Sequence, residues 1–326
     1  MEAIAVKRIL VCGASPDSIN HNARLRTLVG EGFSELLGTE AVRTCSLEVA
    51  EYCAAEFAPQ LILVFGSCMP AVSVYHGLKN YCLKQDAVLA FWLHDDPYEF
   101  DFNYKILDIA DVIFSNDRWA VTHYQHPHTY HVPLAASAAA HLRPACSNKE
   151  REVFFCGVGF ANRINLLRDC RTALKDVRTE VLGADWPSDL SFASNERVEH
   201  EMLPDYYSRS LITLNIGRRF DLANARFNLD ASTPGPRTFE AAMAGTVQCM
   251  FVEGLEIYDY FDPDAGEILL FDSPSELRRH VDMLRSDPRA AQRISFAAQQ
   301  RALSDHTYTH RAMRILSLVN DAQVLG

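Results

Sequence analysis

The stretch EVFFCGVGFANR (152–163) decides the fold. Val153 to Cys156 is an unbroken apolar run. A continuous run, rather than an alternating one, fits a strand covered on both faces. The run breaks into Gly157-Val158-Gly159, and helical spacing follows over 163–175. Strand, glycine turn and helix in that order open a parallel α/β unit. Glycines let backbone N–H groups approach an anion, and the helix N-terminus adds free donors and partial positive charge. Arg163 at that terminus costs the helix a few tenths of a kcal/mol, roughly, which a bound anion would offset. Gly157, Gly159, Phe160, Asn162 and Arg163 are therefore candidates for a phosphate-binding loop. A plain turn into a helix is the alternative reading.

The same grammar extends in both directions. Upstream, RILVCG (8–13), LILVFG (61–66), AVLAFWL (87–93) and DVIFSN (111–116) read as buried strands, with a helix over 22–37. Downstream, TEVLG (179–183), SLITLNIG (210–217), TVQCMFV (246–252) and EILLF (267–271) do the same, and RTFEAAMAG (237–245) reads as a short helix closed by glycine. Between the two series lies AASAAAHLRPACSNKERE (135–152), read as an interdomain linker whose alanines equally suit a helix capping the first half. The expected division is 1–140 and 141–304, each a doubly wound α/β unit.

Composition narrows the class. The chain has 326 residues, 48% hydrophobic and 22% charged, the balance of a globular protein. With 31 Lys and Arg against 42 Asp and Glu, the net charge is −11. That weighs against long nucleic acid as partner, since phosphate neutralisation supplies most such affinity. Nine cysteines, with no C-x-x-C pair, read as buried reduced thiols. The longest apolar run, 87–93, is too short to span a bilayer, and no signal-peptide core opens the chain. The expectation is a soluble, cytoplasmic protein with no membrane span.

Ligands of open α/β sheets bind outside the carboxyl ends of strands, so chemistry is sought there. After the first strand, Gly13 to Asp17 and then Asn20-His21-Asn22 offer either a turn or a substrate contact. After the third comes WLHDDPYEFD (92–101). His94, Asp95 and Asp96 suit orienting or deprotonating a hydroxyl. Paired carboxylates also suit Mg²⁺ or Mn²⁺, and an Asp can simply cap the next helix. His123, His126, His128 and His131 match no zinc spacing. In the second half, Gly217-Arg218-Arg219 follows a strand end and suits phosphate recognition. The polar stretch FDLANARFNLDASTPGPRTFE (220–240) is long enough to be an ordered functional loop or a lid. TPGPRTFEAAMAG (233–245) delivers Arg237 and Glu240 to one face of a helix. A carboxylate there accepts hydrogen bonds from two ribose hydroxyls, or else stabilises the helix dipole.

Taken together, HDDPYEFD (94–101), DVIFSNDRWAVTHY (111–124), GVGFANR (157–163), TPGPRTFEAAMAG (233–245) and HTYTHR (306–311) resemble the CgeB-like glycosyltransferases, a spore-maturation-protein group within the GT-B class. The resemblance implies two Rossmann-like domains facing across a cleft, with the last helix (305–326) packing back on the first. It implies a nucleotide-sugar donor, a UDP- or dTDP-sugar, on the second domain and a small-molecule or cell-envelope acceptor on the first. By position, Glu240 looks like the ribose-binding carboxylate, Gly157, Gly159 and Arg163 the diphosphate-facing loop, and Arg218 or Arg219 a phosphate contact. Related enzymes often carry a second glutamate eight residues before the ribose-binding one, where this chain has Ser232. Enzymes of this form typically use arginines and helix N-termini rather than a metal, so neither cofactor nor metal is expected, and many retain configuration. Arg163, Arg218, Arg219 and Arg237 would then supply the positive field. A GT-B-form epimerase, or a non-catalytic ligand-binding protein of spore or envelope assembly, is the alternative.

Overall fold

The computed structural model describes residues 6–19, 23–144, 146, 148–252 and 256–325. Asn20, His21 and Asn22, candidates above for a substrate contact, lie outside them. The chain divides into two compact units, one of 1–134, 221–233 and 308–326, the other of 135–220 and 234–307.

The first unit is built on strands β1 (Ile9–Gly13), β2 (Val42–Cys45), β3 (Leu61–Phe65), β4 (Val88–Leu93), β5 (Val112–Ser115) and β6 (Thr129–His131). They form one all-parallel sheet in the order β2-β1-β3-β4-β5-β6. Helices α1 (Ala23–Leu37), α2 (Ala50–Phe57), α3 (His76–Gln85), α4 (Phe100–Asn103) and α5 (Arg118–Val121) connect them. Every residue of β1, β3, β4 and β5 is buried, as their unbroken apolar runs require. Strand β2, VRTC, carries no apolar run because it is the half-buried edge, and the sequence reading missed it.

The second unit contains α6 (Ala138–His141), β7 (Arg151–Val158), α7 (Ala161–Asp169), β8 (Thr179–Ala184), β9 (Ala193–Ser194), α8 (Leu203–Ser208), β10 (Ser210–Asn215), α9 (Pro236–Met243), β11 (Val247–Phe251), β12 (Leu269–Phe271), α10 (Pro274–Ser286) and α11 (Pro288–Asp305). Its sheet is also parallel throughout, in the order β12-β11-β10-β7-β8-β9. The stretch read as a linker belongs here. Ala136 is fully buried in a cluster with Phe239, Met243 and Ala298, and α6 caps this unit rather than the first.

The last helix, α12 (Tyr308–Leu325), is part of the first unit. It lies so close to α1 that a Cβ on Gly32 would stand 2.6 Å from the Tyr308 carbonyl carbon. Thr309 donates to Glu35. Arg311 donates to the carbonyls of Pro133 at 2.9 Å and Leu134 at 3.2 Å, fixing the helix start to the end of the first sheet's chain.

Segment 221–233 was expected within the second half; it folds on the first unit as a strap. Leu222 and Ala223 donate to the Tyr98 carbonyl at 3.0 and 2.9 Å. The Asp101 carboxylate accepts from the N–H groups of Ala225 at 2.8 Å and Arg226 at 3.2 Å. Phe227 packs on Phe100, Tyr104 and His123, and the Arg226 guanidinium lies 4.3 Å from the Tyr104 ring centre. No helix among the described residues is long and apolar enough to cross a membrane.

Candidate active site

In the second unit the strand order reverses between β7 and β10, which places the expected ligand crevice at their carboxyl ends. The loop after β7 enters α7, and the loop after β10 carries Gly217, Arg218 and Arg219. Asn162 ties the two together: its Nδ2 donates to the Gly217 carbonyl at 3.0 Å, and its Oδ1 accepts from the Arg219 N–H at 3.2 Å. Phe160 stacks on Phe220, 5.3 Å between centroids and 7° between planes. The glycines are needed for close approach. A Cβ on Gly159 would stand 2.6 Å from the Asp185 carbonyl oxygen, and one on Gly183, at φ +144°, would stand 1.9 Å from that of Gly157. That Gly157 carbonyl accepts the Trp186 indole N–H at 3.0 Å.

Arg163 explains itself differently from the sequence expectation. Its guanidinium donates to the carbonyls of Val158 at 3.1 Å, Ile216 at 3.0 Å and Gly217 at 3.2 Å. Its charge therefore compensates carbonyls gathered at both strand ends, so its place in α7 does not by itself require an anion. Arg237 donates to the Cys156 carbonyl, and no carboxylate pairs with it among the described residues. A Cβ at Gly157 would lie 2.7 Å from Arg237 Nη1 and 3.1 Å from Arg163 Nη1. Two guanidinium groups thus converge over one glycine. Neither α7 nor α9 has a side-chain N-cap, so both present first-turn N–H groups without one. Arg218 is half-buried and Arg219 exposed in the same loop.

Glu240 stands in the second turn of α9, only 7% exposed. Among the described residues no hydrogen-bond donor reaches its carboxylate. The residual exposure of the side chain leaves that carboxylate open to solvent or to a ligand that can donate to it. The His141 imidazole stands beside it, with Nε2 3.8 Å from Glu240 Oε1. A histidine after a run of alanines carries no spacing signal, so the sequence does not mark His141.

In the first unit the acidic motif after β4 is mostly spent internally. Asp96 is 1% exposed. Its Oδ1 accepts from Asn103 at 2.8 Å, and its Oδ2 accepts from Ser115 at 2.6 Å and Tyr124 at 2.8 Å. It therefore organises the core and is not presented as a base to an acceptor, which corrects the pairing of Asp95 with Asp96. Burial pushes its carboxyl up to about 6, against the pull of those three donors. A folded-state value raised above the unfolded one gives stability that is complete below about pH 4 and lost as pH rises through about 6. The expected loss is roughly 3 kcal/mol. Denaturation midpoints of wild type minus Asp96→Asn should fall across that window. A difference that climbed instead would refute the assignment.

Asp95 keeps a quarter of its side chain exposed, with Oδ2 3.8 Å from His94 Nε2. His94 is 7% exposed, its ring edge-on to Phe65 and its Nδ1 3.5 Å from the Ser67 hydroxyl. No three His, Cys, Asp or Glu side chains among the described residues form a group able to hold a metal.

Asp117 carries as much of this region as Asp96 does. Fully buried, it caps α5 through the N–H groups of Trp119 and Ala120, both at 3.0 Å. Its other oxygen accepts from the N–H groups of Ser232 at 2.7 Å and Thr233 at 3.0 Å, and from the Ser232 hydroxyl at 3.1 Å. Ser232, the position where relatives often have glutamate, is thereby enclosed, with no exposed surface.

Comparison with known proteins bears on the same regions. Residues 163–317 match the family model described as glycosyl transferase-like. Over 197 residues the chain is 22% identical to the spore protein CgeB of Bacillus subtilis; the match takes in 54% of this chain and 59% of that protein. Among solved structures, sucrose-phosphate synthase of Thermosynechococcus elongatus is similar with a TM-score of 0.64 at 12% identity, over 98% of this chain and 100% of that one. The Anabaena protein HepE, solved with UDP-glucose, gives 0.60 at 10% identity over 95% and 98%. A glycosyltransferase of avilamycin A biosynthesis gives 0.64 at 14% identity, over 98% of each. The chain is built as two Rossmann-like units, the fold of these glycosyltransferase structures, and its residues 163–317 are similar to the glycosyl transferase-like family.

Proposed function

We propose that the protein transfers a sugar from a nucleoside-diphosphate sugar to a hydroxyl of a small-molecule or cell-envelope acceptor. The observation that carries this reading is Glu240: among the described residues its carboxylate accepts no hydrogen bond, and it shares a helix face with Arg237, whose guanidinium reaches the carboxyl end of β7. A ribose supplies the missing hydroxyl donors, and its diphosphate meets the converging guanidinium groups. Uracil is the first candidate base, because HepE was solved with UDP-glucose.

Transfer breaks the bond from the sugar's anomeric carbon to the diphosphate oxygen, so negative charge grows on the β-phosphate. Arg218, Arg219, Arg237 and the first-turn N–H groups of α7 and α9 stabilise that charge in place of a metal. Arg163 holds the loops that carry them. With retention of configuration, the departing phosphate takes the acceptor's proton on the same face, and Asp95 with His94 orients the hydroxyl. If configuration inverts, Asp95 is the exposed carboxylate of the motif and takes the proton itself.

Thermal unfolding against UDP-, dTDP-, GDP-, ADP- and CMP-sugars, each with and without Mg²⁺, tests the donor site. At a hundredfold excess over Kd the bound nucleotide adds roughly 2.7 kcal/mol, which for a unit of this size is about 5–10 °C. A rise with UDP-sugars that ignores Mg²⁺ is expected. No rise with any nucleotide would return the protein to the non-catalytic reading, and a rise only with Mg²⁺ would remove the metal-free mechanism.

A further inference from the structure

His141 lies outside every motif that the sequence offered, yet it is built as carefully as any of them. Its backbone N–H donates to the Ser137 carbonyl at 2.9 Å, and the Ser137 hydroxyl accepts from the Ala140 N–H at 3.3 Å. The Ser137 N–H donates to His141 Nδ1 at 3.0 Å. A ring nitrogen that accepts carries no proton, so the neutral imidazole holds its proton on Nε2. That nitrogen is the one 3.8 Å from Glu240 Oε1, with each side chain 9% exposed. The distance is too long for a direct hydrogen bond. It is short enough, in a water-poor site, for the N–H dipole to bias where the carboxylate settles. Oε1 faces the imidazole, which leaves Oε2 for a ligand.

We propose that His141 is the positioning residue for Glu240: it aims the carboxylate at the vicinal hydroxyls of a ribose and makes the site selective for ribonucleotides. The proposal rests on the reading of Glu240 as the ribose-binding group. The chemistry favours histidine held this way. An arginine or lysine would pair with Glu240 outright and compete with the ribose. A tautomer-locked imidazole offers one polarised N–H and leaves the carboxylate its charge. Groups that orient a metal ligand from behind contribute roughly ten- to a hundredfold to affinity, and the lower end of that range is the expectation for a carboxylate held this way.

The test is calorimetric binding of UDP and of 2′,3′-dideoxy-UDP to wild type, His141→Ala and His141→Gln, with the melting temperature of each variant recorded. Wild type should prefer UDP. His141→Ala should lose roughly tenfold in affinity for UDP and little for the dideoxy analogue, so that the preference shrinks. His141→Gln, which offers an amide N–H, should recover much of it. If His141→Ala weakens both ligands equally, or neither, the positioning role is wrong while the ribose reading stands. If wild type binds both equally, Glu240 does not read the ribose, and the role of His141 falls with it. If wild type binds neither, the donor site itself is misassigned.

Discussion

Asp117→Asn should melt the first unit on the order of 10 °C below wild type. Five donors converge on this fully buried carboxylate, two from α5 and three from the end of the strap. An amide of the same shape keeps one acceptor oxygen and turns the other into an NH₂ group. Whichever way it is placed, that group meets backbone N–H donors, either those of Trp119 and Ala120 or those of Ser232 and Thr233. Each buried donor left unpaired costs about 1–3 kcal/mol, so about 3–5 kcal/mol in all is expected. Ser232→Ala removes the hydroxyl's bond to Asp117 and its long contact from the Trp119 N–H, which keeps Asp117, and leaves both strap N–H groups satisfied, so it should cost only about 1 kcal/mol. Differential scanning calorimetry of the two variants separates the effects. An Asp117→Asn protein that melts like Ser232→Ala would show that the strap is held by other contacts.

The larger kinetic effect is expected from the loop after β10. Arg218→Ala/Arg219→Ala should reduce turnover a hundredfold or more while the protein stays folded, since removing one preorganised donor to a developing oxyanion typically costs about 2.7–4 kcal/mol. The loop itself should survive, because Asn162 still bridges to the Gly217 carbonyl and the residue-219 N–H. Single-turnover release of nucleoside diphosphate, with the melting temperature as control, reads this directly. A double variant with wild-type turnover would place the stabilising charge on Arg237 and the helix N-termini alone.

The strands were legible because burial on both faces leaves unbroken apolar runs, as in LILVF of β3 and VLAFWL of β4. The glycine turn after β7 was legible because close approach leaves a compositional mark, as at Gly159; the turn before α9 was legible from Pro234 and Pro236 around Gly235. Three things left none. Strand β2 is a half-buried edge, so VRTC looks like any polar stretch. The strap's allegiance is written in single side chains, Asp101 and Asp117, whose partners lie more than a hundred residues away. His141 acts through its distance to Glu240 and through its tautomer, and neither is a property of spacing. Arg163 is the instructive middle case. Its unfavourable position in α7 was visible, but two of the three carbonyls that explain it come from the loop after β10, some fifty residues downstream.

The strap also constrains how this protein can be taken apart. The chain passes between its units at 134, 220, 233 and 307, so neither unit is encoded by one uninterrupted piece of gene. A fragment covering 135–307 would carry thirteen foreign residues, 221–233, without the surface they fold against, and would expose Phe227 and the backbone donors that Asp117 holds. Chimeras that exchange the second unit between relatives therefore need four junctions. Those that cut only near 140 and 305 would graft one parent's strap onto the other parent's Asp101 and Asp117.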